Sequence, residues 1–316
     1  MLLLPPLLSQ SPMAAALLHV SPSAAAAAAA ATAATSASPA IALFGDSIES
    51  YMVSGWCRRH APNFSLCFDA NVWTGLVHPV LPSDNCTGHQ ELLDTLADPW
   101  ATHAGFMSCL PNPAAPPGAP SLVTFYNVWS ALNRRPPGIS PRPPSEMTLH
   151  EIWTLPFELV PRLLRGKRPN ALLVQALFWD LLMEQNVNQD YPALTDEGGP
   201  LLPAWVERYG RGAGELLDIT AELTRDWPLV LCAWRTANKV NSSVYSGWPG
   251  WQQGANGLIR RANAAAAEAA AERNVDVLGI LAEREVPLRD KHHPTEPVLV
   301  AAMDSIISDV TARQRA

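Results

Sequence analysis

The sequence predicts an α/β domain whose sheet is mainly parallel and covered by helices on both faces. Three observations lead there. From residue 40 to the C-terminus, short apolar runs alternate with helical stretches, the pattern of strand-helix-strand units. Those runs are continuously apolar rather than alternating, as strands buried on both faces require. Nearly half of the 316 residues, 48%, are apolar, enough for a sizeable core.

In chain order, residues 40–44 (AIALF) form the first predicted strand, and Gly45 permits a tight turn from it into a helix. Residues 65–68 are a short further candidate. Residues 122–126, 171–177, 229–233 and 275–280 complete the set, each bounded by turn-forming or polar residues. Residues 252–273 are Ala-rich, carry Arg260, Arg261, Glu268 and Glu272 as interspersed charges, and stop at Asn274, which predicts a helix and a short connection. At the C-terminus Thr295 can cap a helix with Pro297 in its first turn. Leu299, Met303, Ile306 and Val310 recur there at helical spacing, so this helix is expected to lay an apolar stripe on the sheet.

Residues 1–38 read as a disordered or signal-like leader and 39–316 as the folded domain. MLLLPPLLSQ is apolar but broken by Pro5 and Pro6, and no Lys or Arg precedes Arg58, although Ala31, Thr32 and Ala33 are small enough for a cleavage site. No uninterrupted run of about 20 strongly apolar residues exists, so no membrane span is expected. The net charge is -7 and the basic residues are scattered, which argues against nucleic acid as a partner. Many of the 30 prolines crowd residues 111–144, predicting a long surface loop.

Five cysteines show no CxxC or Cys/His spacing, so no structural metal is expected. Four of them, Cys57, Cys67, Cys86 and Cys109, lie in the first half and allow one or two disulfides in a secreted protein. The odd count leaves at least one thiol over. Sequons at Asn63, Asn85 and Asn241 are compatible with the secretory pathway, and the sequence leaves the compartment open between that and the cytoplasm.

Ligands of open α/β sheets bind beyond the carboxyl ends of the strands, so the residues following each run are the candidates for chemistry. Gly45-Asp46-Ser47 follows the first, Asn127 and Trp129 the second, Trp179 and Asp180 the third, Trp234 and Arg235 the fourth, and Asp290, His292 and His293 the last. A serine hydroxyl is a poor nucleophile unless a histidine takes its proton, and that histidine is usually oriented by a carboxylate. Ser47 supplies the hydroxyl. Asp290 and His293, three residues apart, can share one side of a turn, so that His293 faces Ser47 while Asp290 holds its imidazole. Amides at the start of the following helix can help to stabilise an oxyanion. The plain alternative makes Asp46 or Ser47 an N-cap and the Asp-His segment a helix entry.

Gly45-Asp46-Ser47 after the first strand, with Asp290-Lys291-His292-His293-Pro294 after the last, resembles the SGNH hydrolase superfamily, the GDSL-like esterases. The resemblance implies a flavodoxin-like three-layer α/β/α sandwich, Ser47 as nucleophile, His293 as base and Asp290 as its orienter, with no cofactor. Where many relatives carry Gly-x-Asn-Asp, this chain has Leu177-Phe178-Trp179-Asp180, so tryptophan replaces the usual oxyanion asparagine. That stretch, with Cys232-Ala233-Trp234-Arg235-Thr236 and the Arg-Asp-x-His-His-Pro ending, is similar to the PC-esterase and trichome-birefringence-like branch. The likeness implies acyl groups of carbohydrates as substrates. The family's oxyanion glycine corresponds to Gly105 or Gly75, each otherwise a turn glycine.

Several roles stay open in the sequence. Arg235 binds a substrate hydroxyl or carboxylate or else forms a structural ion pair. Trp179 and Trp234 stack on a sugar ring, wall an acyl pocket, or pack. Asp180 contacts substrate or caps a helix. The expected activity is serine-dependent hydrolysis of a small-molecule or carbohydrate ester. The rivals are an O-acyltransferase on the same residues and a non-catalytic carbohydrate-binding relative.

Overall fold

The computed structural model describes residues 38–68, 86, 105–126, 131–132, 148–178, 180–181, 202–240, 255–281, 286–289 and 293–316. They form seven strands, β1 (Ala40–Phe44), β2 (Phe64–Phe68), β3 (Gly105–Pro111), β4 (Ser121–Tyr126), β5 (Ala171–Val174), β6 (Leu231–Arg235) and β7 (Asp276–Leu278). Five helices accompany them: α1 (Ser47–Arg59), α2 (Leu149–Leu163), α3 (Leu202–Leu223), α4 (Ala255–Ala271) and α5 (Glu296–Arg315).

The strand order is β2-β3-β4-β1-β5-β6-β7. β4, β1, β5, β6 and β7 run parallel, and β2 and β3 extend the β4 edge antiparallel. Counting the parallel strands alone in chain order, the arrangement is second, first, third, fourth, fifth, which is flavodoxin-like. The crossover from β1 to β4 travels one way along the sheet and the later ones travel the other. With right-handed crossovers, α1 therefore lies on one face and α2, α3 and α4 on the opposite face. Packing agrees: α1 lies against α5, and α3 lies against both α2 and α4.

The central strand carries no exposed residue, and the Phe44 ring at its end stacks on Phe125, Trp153 and Phe157 at centroid distances of 5.3, 5.4 and 4.3 Å. An aromatic side chain so buried contributes roughly 1.5–3 kcal/mol through the hydrophobic effect. It also anchors the last residue before the Gly-Asp-Ser turn.

Several expectations need adjustment. β5 ends at Val174, short of residue 177, and β7 is only Asp276–Leu278. β6 begins two residues late and includes Trp234 and Arg235, because the parallel ladder pairs Val174 with Trp234 and Arg235 with Leu278. Leu229 and Val230 merely lead in. β3 was not anticipated, since Ser108 breaks its apolar run, yet it pairs along most of β2 and β4. The Pro-rich stretch 111–144 is divided by β4, with residues 112–120 joining β3 to β4. The apolar stripe of α5 (Leu299, Met303, Ile306, Val310) is buried, but the main neighbour of α5 is helix α1, with the Trp56 indole N–H donating to Asp304 Oδ1 at 2.7 Å.

Cys57 of α1 is joined to Cys109 of β3, and Cys67 of β2 to Cys86. The first bond closes a long loop between α1 and the antiparallel extension, a kind of crosslink worth about 2–4 kcal/mol. Cys232 is free, and burial pushes its thiol up to about 11, so it stays protonated and unreactive near neutrality.

Candidate active site

β1 and β5 are neighbours from which the chain departs in opposite directions, the topological switch point beyond whose carboxyl ends open α/β sheets bind their ligands. The Gly-Asp-Ser turn lies there. Gly45 N–H still donates to Phe125 O at 3.1 Å, holding the turn to the sheet. Asp46 then takes extended dihedrals as the N-cap of α1 and accepts from Ile48 N–H at 2.7 Å, and Ser47 is the first helical residue. Helical first-turn N–H groups lack intrahelical acceptors, so the Ser47 N–H stands beside its own hydroxyl at the positive end of α1.

His293 reaches the same point from the far end of the chain. Its carbonyl accepts from Arg289 N–H at 2.8 Å, Leu288 and Pro294 form an antiparallel bridge, and Thr295 N–H donates to Pro287 O at 2.9 Å. The loop thus folds back on itself just before α5. The imidazole is buried, and its Nε2 lies 2.6 Å from Ser47 Oγ. With the ring proton on Nδ1, Nε2 is the acceptor of the hydroxyl proton. Tyr51, one turn after Ser47 on α1, meets the imidazole edge-on at 4.9 Å, and the Arg289 guanidinium lies 4.3 Å over the Tyr51 ring. Sequence reasoning did not single out Tyr51, though its spacing of four from Ser47 puts both on one helical face.

Beneath the serine is a buried polar row. Gln175 continues β5, its N–H donating to Phe44 O at 2.8 Å, and in this register Gly45, Gln175 and Arg235 stand side by side across β1, β5 and β6. Glu49 spans the row: Oε2 accepts from Asp46 N–H at 2.9 Å, and Oε1 accepts from Arg235 Nε. Both side chains of this ion pair are 1% exposed. A Cβ at position 45 would overlap the Glu49 carboxylate, which is why this turn needs glycine. Asp46-x-x-Glu49 is a capping box, so half of this arrangement was readable from spacing.

The remaining candidates fall as follows. Arg235, the last residue of β6, takes the ion-pair role: it is buried against Glu49 and donates its Nη1 to Thr236 O at 3.0 Å. Trp234 is buried in the core. Asp180 is fully buried, and its two oxygens accept from Ala131 N–H at 2.9 Å and Leu132 N–H at 3.0 Å, tethering the segment after β4. Gly105 opens β3 opposite Tyr126, the last residue of β4, and therefore lies on the carboxyl rim. Asp290, Trp179, His292, Asn127, Trp129 and Gly75 lie outside the described residues. Among the described residues, no three His, Cys, Asp or Glu side chains gather as a metal site.

Burial and the neighbouring Glu49 carboxylate raise Asp46 well above its ordinary 3.8, against the opposing pull of Arg235. Tyr209, whose hydroxyl donates to Ala176 O, is likewise raised by burial and by Asp180. A carboxyl raised on folding contributes stability that is full below its unfolded value and lost as pH rises through its folded value. Asp46→Asn keeps an N-cap acceptor without that titration, so its stability relative to the wild type should grow with pH above 3.8 and the difference should vanish in acid. Urea unfolding from about pH 3 to 8 checks this, and a pH-independent difference contradicts it. Gly45→Ala should lower stability by roughly 1–3 kcal/mol, the usual range for overpacking, and a thermal melt matching the wild type would count against the Glu49 contact.

No protein-family model matches the chain, and no curated protein matches it. Among solved structures it is similar to an alpha/beta hydrolase enzyme from the metagenome of Lake Arreo, Spain, at 13% identity and a TM-score of 0.39, with 87% of this chain and 97% of that chain covered.

Proposed function

We propose that the chain is a serine-dependent ester hydrolase of the SGNH kind, acting on acyl esters, with O-acyl groups of carbohydrates as the substrate class. The observation that carries this reading is the 2.6 Å contact between Ser47 Oγ and His293 Nε2 at the carboxyl end of the central strand. In this scheme His293 takes the hydroxyl proton as Ser47 attacks the acyl carbonyl, and returns it to the leaving alcohol. Water, activated by the same imidazole, then releases the acid and restores the serine. Asp290, three residues before the histidine, is the proposed orienter of its ring. The Ser47 N–H at the α1 N-terminus is the proposed oxyanion donor, and Gly105 on the same rim is the candidate for a second. Tryptophan at position 179 in place of asparagine, next to Asp180, supports the carbohydrate branch of the resemblance, since tryptophan is a residue type that stacks on sugar rings. The two disulfides support an oxidising compartment.

The test is hydrolysis of short acyl esters by the wild type, Ser47→Ala and His293→Ala. Each substitution should lower kcat by about 10³-fold or more while leaving the thermal melt close to that of the wild type. Wild-type turnover that survives Ser47→Ala would overturn the reading.

A further inference from the structure

We propose that the buried Glu49–Arg235 pair is a positioning device for the nucleophile, an inference that rests on the serine hydrolase reading. A fully desolvated ion pair is weak evidence for stability, since its Coulomb energy is largely offset by the loss of hydration, so its placement calls for another explanation. The explanation lies in what Glu49 holds. One oxygen takes the Arg235 Nε and the other takes the N–H of Asp46, the residue immediately before Ser47. On the other side of Ser47, the Ile48 N–H is taken by Asp46 Oδ1. The backbone is therefore pinned on both sides of the nucleophile.

Arg235 comes from β6, two strands away from β1, and its Nη1 is tied to Thr236 O. The turn is thereby referenced to the rigid sheet and not only to its own helix. Gly45 supplies the space for the carboxylate to reach both partners. The result is that Ser47 Oγ is fixed relative to an imidazole delivered from a separate loop, where a displacement of about 1 Å can lower a rate 10²-fold. Neither Glu49 nor Arg235 touches the reacting atoms. Both act through the Asp46 backbone.

Ester hydrolysis by variants of the full chain tests this. Glu49→Met and Arg235→Met each remove one partner of the buried pair and should lower the melting temperature. The double replacement removes both charges, so the melt should return toward the wild type, yet kcat should stay down by about 10²-fold with KM within about twofold. A double variant with recovered melt and wild-type kcat overturns the inference. Glu49→Asp is the milder check: it keeps the charge beside Arg235 but is one methylene too short to bridge both partners, and it should show the same loss in kcat without a rise in KM. Unchanged kcat in Glu49→Asp also overturns the inference. Hydrolysis that does not depend on Ser47 removes the parent reading. Hydrolysis that depends on Ser47 but is indifferent to these variants removes only the positioning role.

Discussion

The contact between Ser47 Oγ and His293 Nε2 joins residues 246 apart in sequence, and almost every large feature of the fold can be read as a requirement for holding it. A hydroxyl and an imidazole at 2.6 Å need two independently fixed backbones. The first is fixed by the central strand, whose end is clamped by the Phe44 aromatic stack and whose turn is capped by Asp46. The second is fixed by the Leu288–Pro294 bridge and by α5, which packs against α1, the helix that Ser47 begins. Ser47 thus opens α1, and His293 lies in the loop that leads directly into α5, so the two side chains are carried by segments joined to helices that pack on each other.

Under this contact the molecule keeps charges where hydrophobic packing would be less demanding. Asp46, Glu49 and Arg235 are buried together, with Gln175 beside them. Burial, and after it the neighbouring Glu49 carboxylate, raises Asp46 against the opposing pull of the one guanidinium nearby. Glu49 has the better claim on Arg235, because its oxygen meets Nε directly. Strain of this kind between local chemistry and burial is what a site tends to show when geometry is held at the expense of stability.

Most of the scaffold was legible because it depends on short-range patterning. β1 matches its apolar run end to end, and α4 and α5 lie within a residue or a few of the boundaries suggested by Ala-rich composition and by Thr295 with Pro297. What escaped depends on partners distant in sequence. β3 carries too little pattern of its own and is a strand because β2 and β4 flank it. For Arg235 the residue type left substrate contact and a structural ion pair both open; the ion pair is the one formed, and its partner could not be named because the carboxylate lies 186 residues away on α1. Gly45-Asp46-Ser47 and Asp290-x-x-His293 were visible as spacings, whereas the row of Gly45, Gln175 and Arg235 exists only once three strands are in register.

The most direct measurement of the central claim is labelling of the folded protein with a fluorophosphonate, followed by mass spectrometry of its peptides. A serine activated by His293 should carry the adduct at Ser47 alone, and the labelling should disappear in His293→Ala and on denaturation. A folded wild type that leaves Ser47 unmodified, or that labels equally well without His293, would contradict the account.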